Sequence, residues 1–561
     1  MEQDFDVIII GSGVAGTLTA WQLANEQFKV LILEAGERGP ERVELVGAYA
    51  RASLKTPGSP YKGRFGDIKA PSPDSEKDYY EQSTSTDLFK STYQRRIGGS
   101  TWHWLGNVPR LIPNDFRMKS VYGVGVDWPI TYDELEPWYC EAEQAIGVSG
   151  DHAEWNGLLG AYRSRSFPMS KIWSSYGDTK VAEALVGVQF DDVPLALVST
   201  PQARNSQPYD DRPACAGNSS CVPICPIQAK YDATVHLAKA EQAKAILREK
   251  SVVTRLEVDE DRHIRRVIYK SWDGQEHTVS GRIVVIAAHA IETAKLLLMS
   301  ACKRTPNGVA NSSDQVGRNL MDHLQGAGAA LALEPLFPFR GPPTTSGIDN
   351  FRDGAFRSTR SAFRMSIGND GWGRVETPYA TVLKLVREEN LFGNELKERL
   401  AARVTRQFRI SYSTEMLPNP ENRVTLSDQT DGLGIRRPKL HIKVDEYNKA
   451  AFESAWEVME TIFTAMKATE IRIPKDRNDY SGAGHIMGTC RMGNDSTQSV
   501  VDSECRAHDH PNLFILGASV FPTCGTANPT LTVAALALRA AKAIKFQLAA
   551  EPAGNDVTLH R

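Results

Sequence analysis

The alternation of apolar and polar positions at the start of the chain predicts a strand, a tight turn, a helix and a second strand. Residues 7–10 form an apolar run that is too short for a helix, and residues 30–33 form another. Between them, apolar side chains recur at helical spacing from Leu18 to Ala24. This order of elements is typical of the βαβ unit with which many proteins bind a dinucleotide.

The later pattern predicts a second unit of this kind and also a different kind of sheet. Residues 283–286 form an apolar strand followed by an amphipathic helix, and a long apolar helix begins at Thr530. Between 326 and 480, alternating positions predict antiparallel strands with helices on one face. The polar stretch 37–90 predicts an extended excursion over the surface, and the segment 125–150 predicts a helix.

These changes of pattern predict an α/β fold (α+β overall) with two domains, each of which the chain enters more than once. A length of 561 residues is too great for one compact core. We expect a Rossmann-like nucleotide-binding domain from residues 1–155, 205–325 and 481–548. We expect a substrate domain, with an antiparallel sheet and helices, from residues 156–204 and 326–480.

The turn after the first predicted strand carries a dinucleotide fingerprint. Gly11, Gly13 and Gly16 have the G-x-G-x-x-G spacing, and Val14 and Ala15 open the helix. Gly11 allows the tight turn, Gly13 lets the backbone approach a pyrophosphate, and Gly16 lets the helix pack on the strand. The helix N-terminus offers free N–H groups to the phosphates.

The second predicted strand ends in Glu34, whose carboxylate can accept hydrogen bonds from a ribose. An acid at this point suits a ribose without a phosphate, and so favours FAD or NAD over NADP. The fingerprint does not choose between FAD and NAD.

The composition and the hydrophobic pattern give no sign of a nucleic-acid partner or of a membrane span. The chain has 65 basic and 68 acidic side chains, a balance that gives no reason to expect a nucleic-acid partner. No run of eighteen apolar residues is present, and the start of the sequence lacks the pattern of a signal peptide. We therefore expect the chain to fold in the cytoplasm without a membrane span of its own. Export on a partner that carries a signal stays compatible with this.

Three of the eight cysteines crowd into eleven residues. Cys215, Cys221 and Cys225, followed by Pro226, give C-x5-C-x3-C-P. This is the bacterial ferredoxin run with its second cysteine replaced, and Asn218 stands in the vacant place. Three thiolates favour a three-iron cluster and leave open a four-iron cluster with one other ligand. The alternatives are a zinc site, a disulfide or three unrelated thiols.

A cluster in the same chain as a dinucleotide domain changes the choice of cofactor. An iron–sulfur cluster moves single electrons, and flavin can split two electrons into single steps, whereas nicotinamide does not do so readily. The cysteine loop at 213–228 therefore favours FAD over NAD.

Two C-terminal residues are candidates for alcohol oxidation. His485 lies in GAGHIMGTCRMG and Asn528 in GTANPTLT, and both segments are glycine-rich turns beside apolar elements. A histidine can take a hydroxyl proton near neutral pH, and an asparagine can donate a hydrogen bond without titrating. The chain has 12 histidines, so composition alone does not select His485.

Several motifs together resemble those of the glucose–methanol–choline (GMC) oxidoreductases along nearly the whole chain. They are the fingerprint with Glu34, RRIGGSTWHW, AAHAIETAKLLLMSA, VGRNLMDH, ENRVTLSD, and HIMGTCRMG through NLFILGASVFPTCGTANPTLT. The blocks PYDDRPACAGNSSCVPICPIQA and SVYGVGVDWPITYDELEPWY are similar to those of bacterial membrane-associated glucose, fructose, gluconate and glucoside 3-dehydrogenases.

This resemblance implies a GMC fold, FAD, and a [3Fe–4S] cluster on Cys215, Cys221 and Cys225. In that branch the flavin subunit partners a small subunit bearing the export signal and a multihaem cytochrome c. The resemblance therefore implies a final location that is periplasmic and membrane-associated through those partners. It implies His485 as catalytic base and Asn528 as its partner.

The resemblance also implies contacts to FAD outside the fingerprint. They are Gly98, Gly99, Ser100, Thr101, Val253, Gly517, Ala518 and Thr530. His103 stands where some relatives, such as pyranose oxidases, attach FAD covalently, and a packing role for it stays open. Many family members have Asp where this chain has Gly517, so the flavin contact there must be made differently.

The expected activity is oxidation of a hydroxyl group of a sugar or glycoside, glucose or a glucoside at C1 or C3, by hydride transfer to flavin. Electrons would then leave through the cluster to a cytochrome c. Three alternatives stay open: an oxygen-using sugar oxidase of the same fold, a non-redox lyase that keeps FAD as structure, and a pure electron-transfer subunit.

Overall fold

The computed structural model describes residues 4–52, 79–83, 87–370 and 375–550. The strands are β1 (Phe5–Ile10), β2 (Val30–Leu33), β3 (Glu81–Gln82), β4 (Gln189–Phe190), β5 (Val193–Pro194), β6 (Val198–Ser199), β7 (Ile246–Arg248), β8 (Ser251–Val258), β9 (Ile264–Ser271), β10 (Glu276–Val279), β11 (Gly281–Ile286), β12 (Leu324–Leu331), β13 (Ser346–Ile348), β14 (Phe363–Gly368), β15 (Gln407–Thr414), β16 (Arg423–Thr430), β17 (Arg436–His441), β18 (Thr469–Arg472), β19 (Ser481–Gly482) and β20 (Leu513–Ile515). The helices are α1 (Val14–Asn25), α2 (Arg42–Arg51), α3 (Met118–Tyr122), α4 (Tyr132–Ile146), α5 (His152–Trp155), α6 (Tyr176–Ala184), α7 (Thr234–Gln242), α8 (Ala290–Met299), α9 (Pro378–Glu388), α10 (Gly393–Val404), α11 (Glu446–Ala465) and α12 (Thr530–Ala550).

A parallel sheet in the order β20–β11–β1–β2–β7 forms the centre of the first half of the molecule. Strands β1, β2 and β11 are apolar along almost their whole length and buried on both faces. Helix α1 packs against both α7 and α12. Strands β8 and β9 of a separate three-stranded sheet contact β2 and β11. Strands that are buried on both faces are continuously apolar in this way. The strands predicted at 7–10, 30–33 and 283–286 are confirmed, with β1 and β11 starting two residues earlier.

An antiparallel sheet lies beside it, in the order β18–β12–β15–β14–β13–β6, with β19 also pairing with β12. Along β15 the side chains alternate: Phe408, Ile410 and Tyr412 are buried, whereas the residues between them are partly exposed. The buried side chains pack on α11, where Phe408 contacts Phe463. The predicted antiparallel sheet with a covering helix is confirmed, and its other face is polar.

The excursion predicted at 37–90 is wrong where the structure describes it. Residues Arg42–Arg51 form helix α2, and Tyr79 and Tyr80 are buried. Helix α2 is held by contacts to distant parts of the chain, because Arg42 forms an ion pair with Asp232 and lies over the ring of Trp102. Residues 53–78 and 84–86 of the stretch lie outside the described residues.

The helix predicted within 125–150 is shorter than that segment, since α4 covers Tyr132–Ile146. Thr131 caps it, accepting a hydrogen bond from the backbone of Glu134 while the Glu134 carboxylate accepts one from the backbone of Thr131. This capping box satisfies backbone donors that a helix start leaves free. The segments proposed for the two domains stay a prediction. In the described part of the chain, no helix is long and apolar enough to cross a membrane.

Candidate active site

The turn between β1 and α1 is closely packed at two of its glycines and open at the third. A Cβ on Gly11, whose φ is +103°, would lie 2.5 Å from the carbonyl oxygen of Ala287. A Cβ on Gly16 would lie 2.0 Å from the carbonyl oxygen of Gly11. A Cβ on Gly13 would meet no atom within 4 Å. Gly11 and Gly16 are therefore required by packing, and Gly13 faces open space above the start of α1, where Val14 and Ala15 lie.

A second glycine-rich loop faces this space. The backbone N–H of Gly98 donates to the hydroxyl of Ser12 at 3.3 Å, and a Cβ on Gly99 would lie 3.7 Å from Cα of Gly13. Ser100 and Thr101 continue the loop as a 3₁₀ turn, Gly99–Trp102. Gly517 also has open space around its Cα, at the start of the turn Ala518–Val520. This backbone-lined space fits the pyrophosphate of a dinucleotide.

The carboxylate of Glu34 ties the fingerprint turn to the end of β2. It accepts hydrogen bonds from the backbone N–H and hydroxyl of Ser12, at 2.9 and 2.7 Å, and from the backbone N–H of Gly36 at 2.7 Å. A carboxylate has about four acceptor sites, so one acceptor site is left for a ribose hydroxyl.

The other residues predicted to contact FAD occupy separate elements around the parallel sheet. Val253 lies in β8 and is buried, and Thr530 opens α12. His103 follows the turn Gly99–Trp102, and burial lowers the pKa of His103 to about 4, with the charges of Lys230 and Arg96 adding to the effect. Their contacts to FAD, and a covalent link through His103, stay predictions.

His485 and Asn528 lie side by side, 43 residues apart in sequence. The Nε2 atom of His485 is 3.0 Å from the side-chain nitrogen of Asn528. Burial lowers the pKa of His485 well below its usual range, and the close approach of His323 lowers it further. A histidine held neutral at physiological pH is able to accept a proton.

A second histidine, His323, contacts the other nitrogen of the ring. Its Nδ1 atom lies 2.8 Å from Nδ1 of His485, and the two rings are close to perpendicular, at 87°. On its far side, Nε2 of His323 lies 2.8 Å from the carbonyl oxygen of Gly525. Burial lowers the pKa of His323 to about 4. The sequence motif VGRNLMDH contained this residue, but nothing in the motif assigned it to the site.

Asp322 anchors the backbone of both histidines. Its Oδ1 accepts the backbone N–H groups of His323 and His485, each at 2.8 Å, and its Oδ2 accepts the hydroxyl of Ser91. Burial raises the pKa of Asp322 to about 6. The segments around the two histidines also pair through Met321 and Met487, at 3.0 and 2.9 Å. The two imidazoles are thus placed by a rigid backbone frame.

A polar pocket opens over this pair on the uncovered face of the antiparallel sheet. It includes both histidines, Asn528 and side chains of neighbouring strands: Gln325, Arg364, Ser366, Arg409, Ser411 and Ser413. The register places Gln325 and Arg364 opposite Ser413, and Ser366 opposite Ser411. Hydroxyl, amide and guanidinium groups spaced in this way suit a ligand that carries several hydroxyl groups.

Each arginine of the pocket has an acidic partner. The guanidinium of Arg364 donates from Nε to Asp349 at 3.0 Å and from a terminal nitrogen to the hydroxyl of Thr200 at 2.6 Å. The guanidinium of Arg409 lies 3.6 Å from the carboxylate of Asp370. Asp349 also pairs with Arg352 at 3.2 Å, so two guanidinium groups share this carboxylate.

The three clustered cysteines lie in one loop. This loop is next to the segment that follows Gly98–Thr101 in the sequence. Cys221 and Cys225 are buried, Cys215 is partly exposed, and none is in a disulfide. The backbone N–H of Gly217 donates to Sγ of Cys215 at 3.4 Å, and that of Lys230 to Sγ of Cys225 at 3.5 Å.

Within the described residues, no three His, Cys, Asp or Glu side chains are arranged to hold one metal ion. The thiolates of an iron–sulfur cluster bind different irons, so they need not converge on one point. Three reduced thiols, two of them buried and two of them accepting a backbone N–H group, fit such a cluster. Ligation by Cys215, Cys221 and Cys225 stays a prediction.

Several known proteins are similar to this chain over nearly its whole length. The family model described as GMC oxidoreductase matches residues 418–537, and the model described as FAD dependent oxidoreductase matches residues 6–42. The chain is 39% identical to the fructose dehydrogenase large subunit of Gluconobacter japonicus, over 96% of this chain and 97% of that protein. It is 29% identical to 6'''-hydroxyparomomycin C oxidase of Streptomyces lividus, over 98% of this chain and 93% of that protein.

Solved structures show the same fold. Pyridoxine 4-oxidase from Mesorbium loti superposes with a TM-score of 0.66 at 19% sequence identity, covering 97% of this chain and 99% of that one. The predicted fold class, a Rossmann-like domain beside an antiparallel substrate sheet in the GMC fold, is therefore confirmed.

Proposed function

This chain belongs to the FAD-dependent GMC oxidoreductases, and on that premise we propose that it oxidises a hydroxyl group of a sugar or glycoside as a dehydrogenase. The observation that carries the proposal is the contact between His485 and Asn528 at the base of a polar pocket. The similarity to a protein named fructose dehydrogenase large subunit supports a sugar as the substrate.

His485 acts as the base for the hydroxyl proton. Its Nε2 atom faces the pocket beside Asn528, and its lowered pKa keeps the ring neutral at physiological pH. The substrate O–H bond breaks as an N–H bond forms at Nε2. The Asn528 amide is placed to donate a hydrogen bond to the substrate oxygen once Nε2 has been taken by the hydroxyl.

Gly13, Gly99 and Gly517 would hold the pyrophosphate region of FAD, and Glu34 the ribose. The chemistry that FAD would supply there is acceptance of the carbinol hydrogen as hydride. The protein's own contribution is to hold the hydroxyl group against Nε2 of His485, so that the proton leaves in the same step.

The pocket suits a ligand that carries several hydroxyl groups. Arg409 lies beside Asp370, and Arg364 shares the carboxylate of Asp349 with Arg352. The serine hydroxyls of β14 and β15 and the Gln325 amide can pair with the hydroxyl groups of a ring. D-Fructose, D-glucose and methyl glucosides are the first compounds to test.

Cys215, Cys221 and Cys225 would hold a [3Fe–4S] cluster, which would carry single electrons from the flavin to a cytochrome c-type acceptor. The similar protein of Gluconobacter japonicus is named as a large subunit, which supports an assembly with other subunits. We extend the proposal to a small subunit that exports the folded chain and a multihaem cytochrome c that receives its electrons in the periplasm.

The first experiment measures iron and acid-labile sulfide per flavin on anaerobically purified protein, with an EPR spectrum of the oxidised sample. About three irons per FAD support the cluster, as the formula requires. Cys221→Ser should then leave flavin reduction by the sugar intact and cut reduction of cytochrome c. Flavin without iron, together with rapid turnover on oxygen, would instead indicate the sugar oxidase.

The second experiment follows bleaching of the flavin absorbance after anaerobic mixing with each sugar. His485→Ala should bind FAD and bleach at least about 10²-fold more slowly, because the general base is missing. The matched control is His263→Ala, since the His263 side chain is 43% exposed in the turn between β8 and β9. Fast bleaching in His485→Ala would remove His485 from the mechanism, and no bleaching by any sugar would favour the non-redox lyase.

A further inference from the structure

A hydrogen-bonded chain of three groups runs from the backbone into the active site. The carbonyl oxygen of Gly525 lies 2.8 Å from Nε2 of His323, and Nδ1 of His323 lies 2.8 Å from Nδ1 of His485. The chain ends at Nε2 of His485, 3.0 Å from the side-chain nitrogen of Asn528. Every ring nitrogen of both histidines therefore has one partner at hydrogen-bonding distance.

The carbonyl group of Gly525 determines which atom donates and which accepts in each of these hydrogen bonds. A carbonyl oxygen only accepts, so Nε2 of His323 must carry the hydrogen that it donates to Gly525. His323 is buried and neutral, which leaves its Nδ1 without a hydrogen and able only to accept. The hydrogen between the two rings therefore belongs to Nδ1 of His485.

This places the free lone pair of His485 on Nε2, the atom that faces the pocket. The contact with Asn528 leads to the same assignment, because an amide N–H can donate to Nε2 only when that nitrogen is unprotonated. The other tautomer would put two hydrogens between His485 and Asn528 and two lone pairs between the histidines. Only the tautomer with Nδ1–H satisfies all three contacts.

We propose that His323 is a positioning residue for the alcohol oxidation, holding His485 in the tautomer that has its basic nitrogen toward the substrate. This role rests on the proposed function, in which Nε2 of His485 accepts the hydroxyl proton. When the O–H bond breaks and the N–H bond forms at Nε2, His485 becomes an imidazolium that keeps its Nδ1–H. His323 Nδ1 remains the acceptor of that hydrogen, and so also stabilises the charged form.

The backbone contacts around the two rings allow this role to be distinguished from a structural one. The carboxylate of Asp322 accepts the backbone N–H groups of both histidines, and the backbone of Met321 pairs with that of Met487. These contacts use no side-chain atom of His323. A replacement at residue 323 therefore changes the hydrogen bonds to Gly525 and His485 while the backbone frame remains.

Two substitutions at residue 323 each keep one of the two hydrogen bonds of the His323 side chain and remove the other. In His323→Asn, the amide oxygen can take the place of Nδ1 and accept from His485, while the donor to Gly525 is lost. In His323→Gln, the longer amide can reach the Gly525 carbonyl with its N–H, while the acceptor for His485 is lost. The pair is matched in polarity and lacks a titrating group in both members.

We expect His323→Asn to keep at least about a tenth of the wild-type rate of flavin reduction, and His323→Gln to lose about 10²–10⁴-fold, since a base in the wrong tautomer loses activity on this scale. KM for the sugar should change little in either variant, because the lost bond orients the base rather than the ring of the substrate. Equal losses in both variants, or a greater loss in His323→Asn, would overturn the proposal.

A second readout needs no substrate. Nitrogen NMR of protein labelled with ¹⁵N-histidine separates protonated from unprotonated ring nitrogens, and His485→Ala identifies the signals of His485. The expected result for the wild type and His323→Asn is an unprotonated Nε2, with mixed tautomers in His323→Gln. A protonated Nε2 in the wild type would overturn the proposal even if the variants fail to fold. If no sugar bleaches the flavin, the proposed function fails while this measurement still decides the tautomer.

Discussion

The ammonium group of Lys230 donates a hydrogen bond to the carbonyl oxygen of Cys221 at 2.7 Å, inside the protein. The same group donates to the carbonyl oxygens of Trp102 and Trp104, at 3.0 and 2.5 Å. One buried side chain thus joins the cysteine loop to the segment that directly follows Gly98–Thr101. The two loops predicted to bind the two redox groups are fixed to each other at this point.

Replacement of Lys230 by Met should loosen that connection. Met has a similar length but no donor, so three buried carbonyl groups lose their partner, and each such loss costs about 1–3 kcal/mol before relaxation. We expect the rate of cytochrome c reduction to fall at least about tenfold and the iron content per flavin to drop, because the distance between the loops is no longer fixed. Flavin reduction by sugar should stay within about threefold of the wild type.

Lys239→Met is the matched control for this prediction. The Lys239 ammonium forms an ion pair with Asp210 at 2.5 Å, and its side chain is about a third exposed. Its loss should leave iron content and both rates near the wild type, since ion pairs at the surface contribute little. Unchanged iron content and cytochrome reduction in Lys230→Met would show that Lys230 does not couple the loops.

Gly13→Ala and Gly16→Ala should have opposite consequences. A Cβ on Gly13 meets no protein atom within 4 Å, so the apoprotein should keep its melting temperature while its affinity for FAD falls at least about tenfold. A Cβ on Gly16 lies 2.0 Å from the carbonyl oxygen of Gly11, so that variant should be destabilised even without FAD. Thermal melting of the apoproteins and titration with FAD separate the two. Tight FAD binding by Gly13→Ala would place the pyrophosphate elsewhere.

The fingerprint was predictable from the sequence because its geometry is local. The turn from Gly11 to Gly16 and the strand ending in Glu34 depend on residues within one βαβ unit, where spacing determines which atoms meet. His485 and Asn528 were found through motif resemblance, and the structure places them in contact. In both cases the informative residues lay within recognisable segments.

His323 and Lys230 were not predictable in this way. His323 acts on a residue 162 positions away, and Lys230 joins loops that lie 9 and 128 positions from it. Such pairs are decided by how the segments pack, and no local pattern reports them. Helix α2 was missed for a similar reason, because Arg42 is held by Asp232 across 190 positions.

Stability should fall steeply in mild acid because five histidines are held neutral in the folded protein. Burial lowers the pKa to about 4 for His103, His289 and His323, to about 3 for His236, and well below the usual range for His485. The unfolded chain takes up these protons near pH 6.5, so stability is present above that pH and is lost as the pH falls toward 4. Each histidine contributes up to about 1.4 kcal/mol per pH unit.

Together the histidines give a slope of up to about 7 kcal/mol per pH unit in that window. Asp322 acts in the opposite sense, since burial raises its pKa to about 6 and the folded state then binds its proton more tightly. The test is the melting temperature of the holoenzyme between pH 7 and 4.5. His236→Gln should reduce the slope by about one proton, and an acid-independent melting temperature would show that these histidines are charged in the folded protein.

The substitution Asn528→Asp should favour the form of His485 that carries a hydrogen on Nε2. The Asp carboxylate near Nε2 can only accept, so Nε2 must carry a hydrogen, and the negative charge raises the pKa of the ring. The base form then exists only at higher pH, so flavin reduction should fall about 10²–10³-fold at pH 7 and recover as the pH rises.

Asn528→Ala removes the donor but leaves the lone pair of Nε2 free. Its rate of flavin reduction should therefore fall less, about tenfold, without a shift toward alkaline pH. Stopped-flow bleaching of the flavin between pH 5 and 9 distinguishes the two, and identical profiles would mean that Nε2 of His485 does not receive the proton.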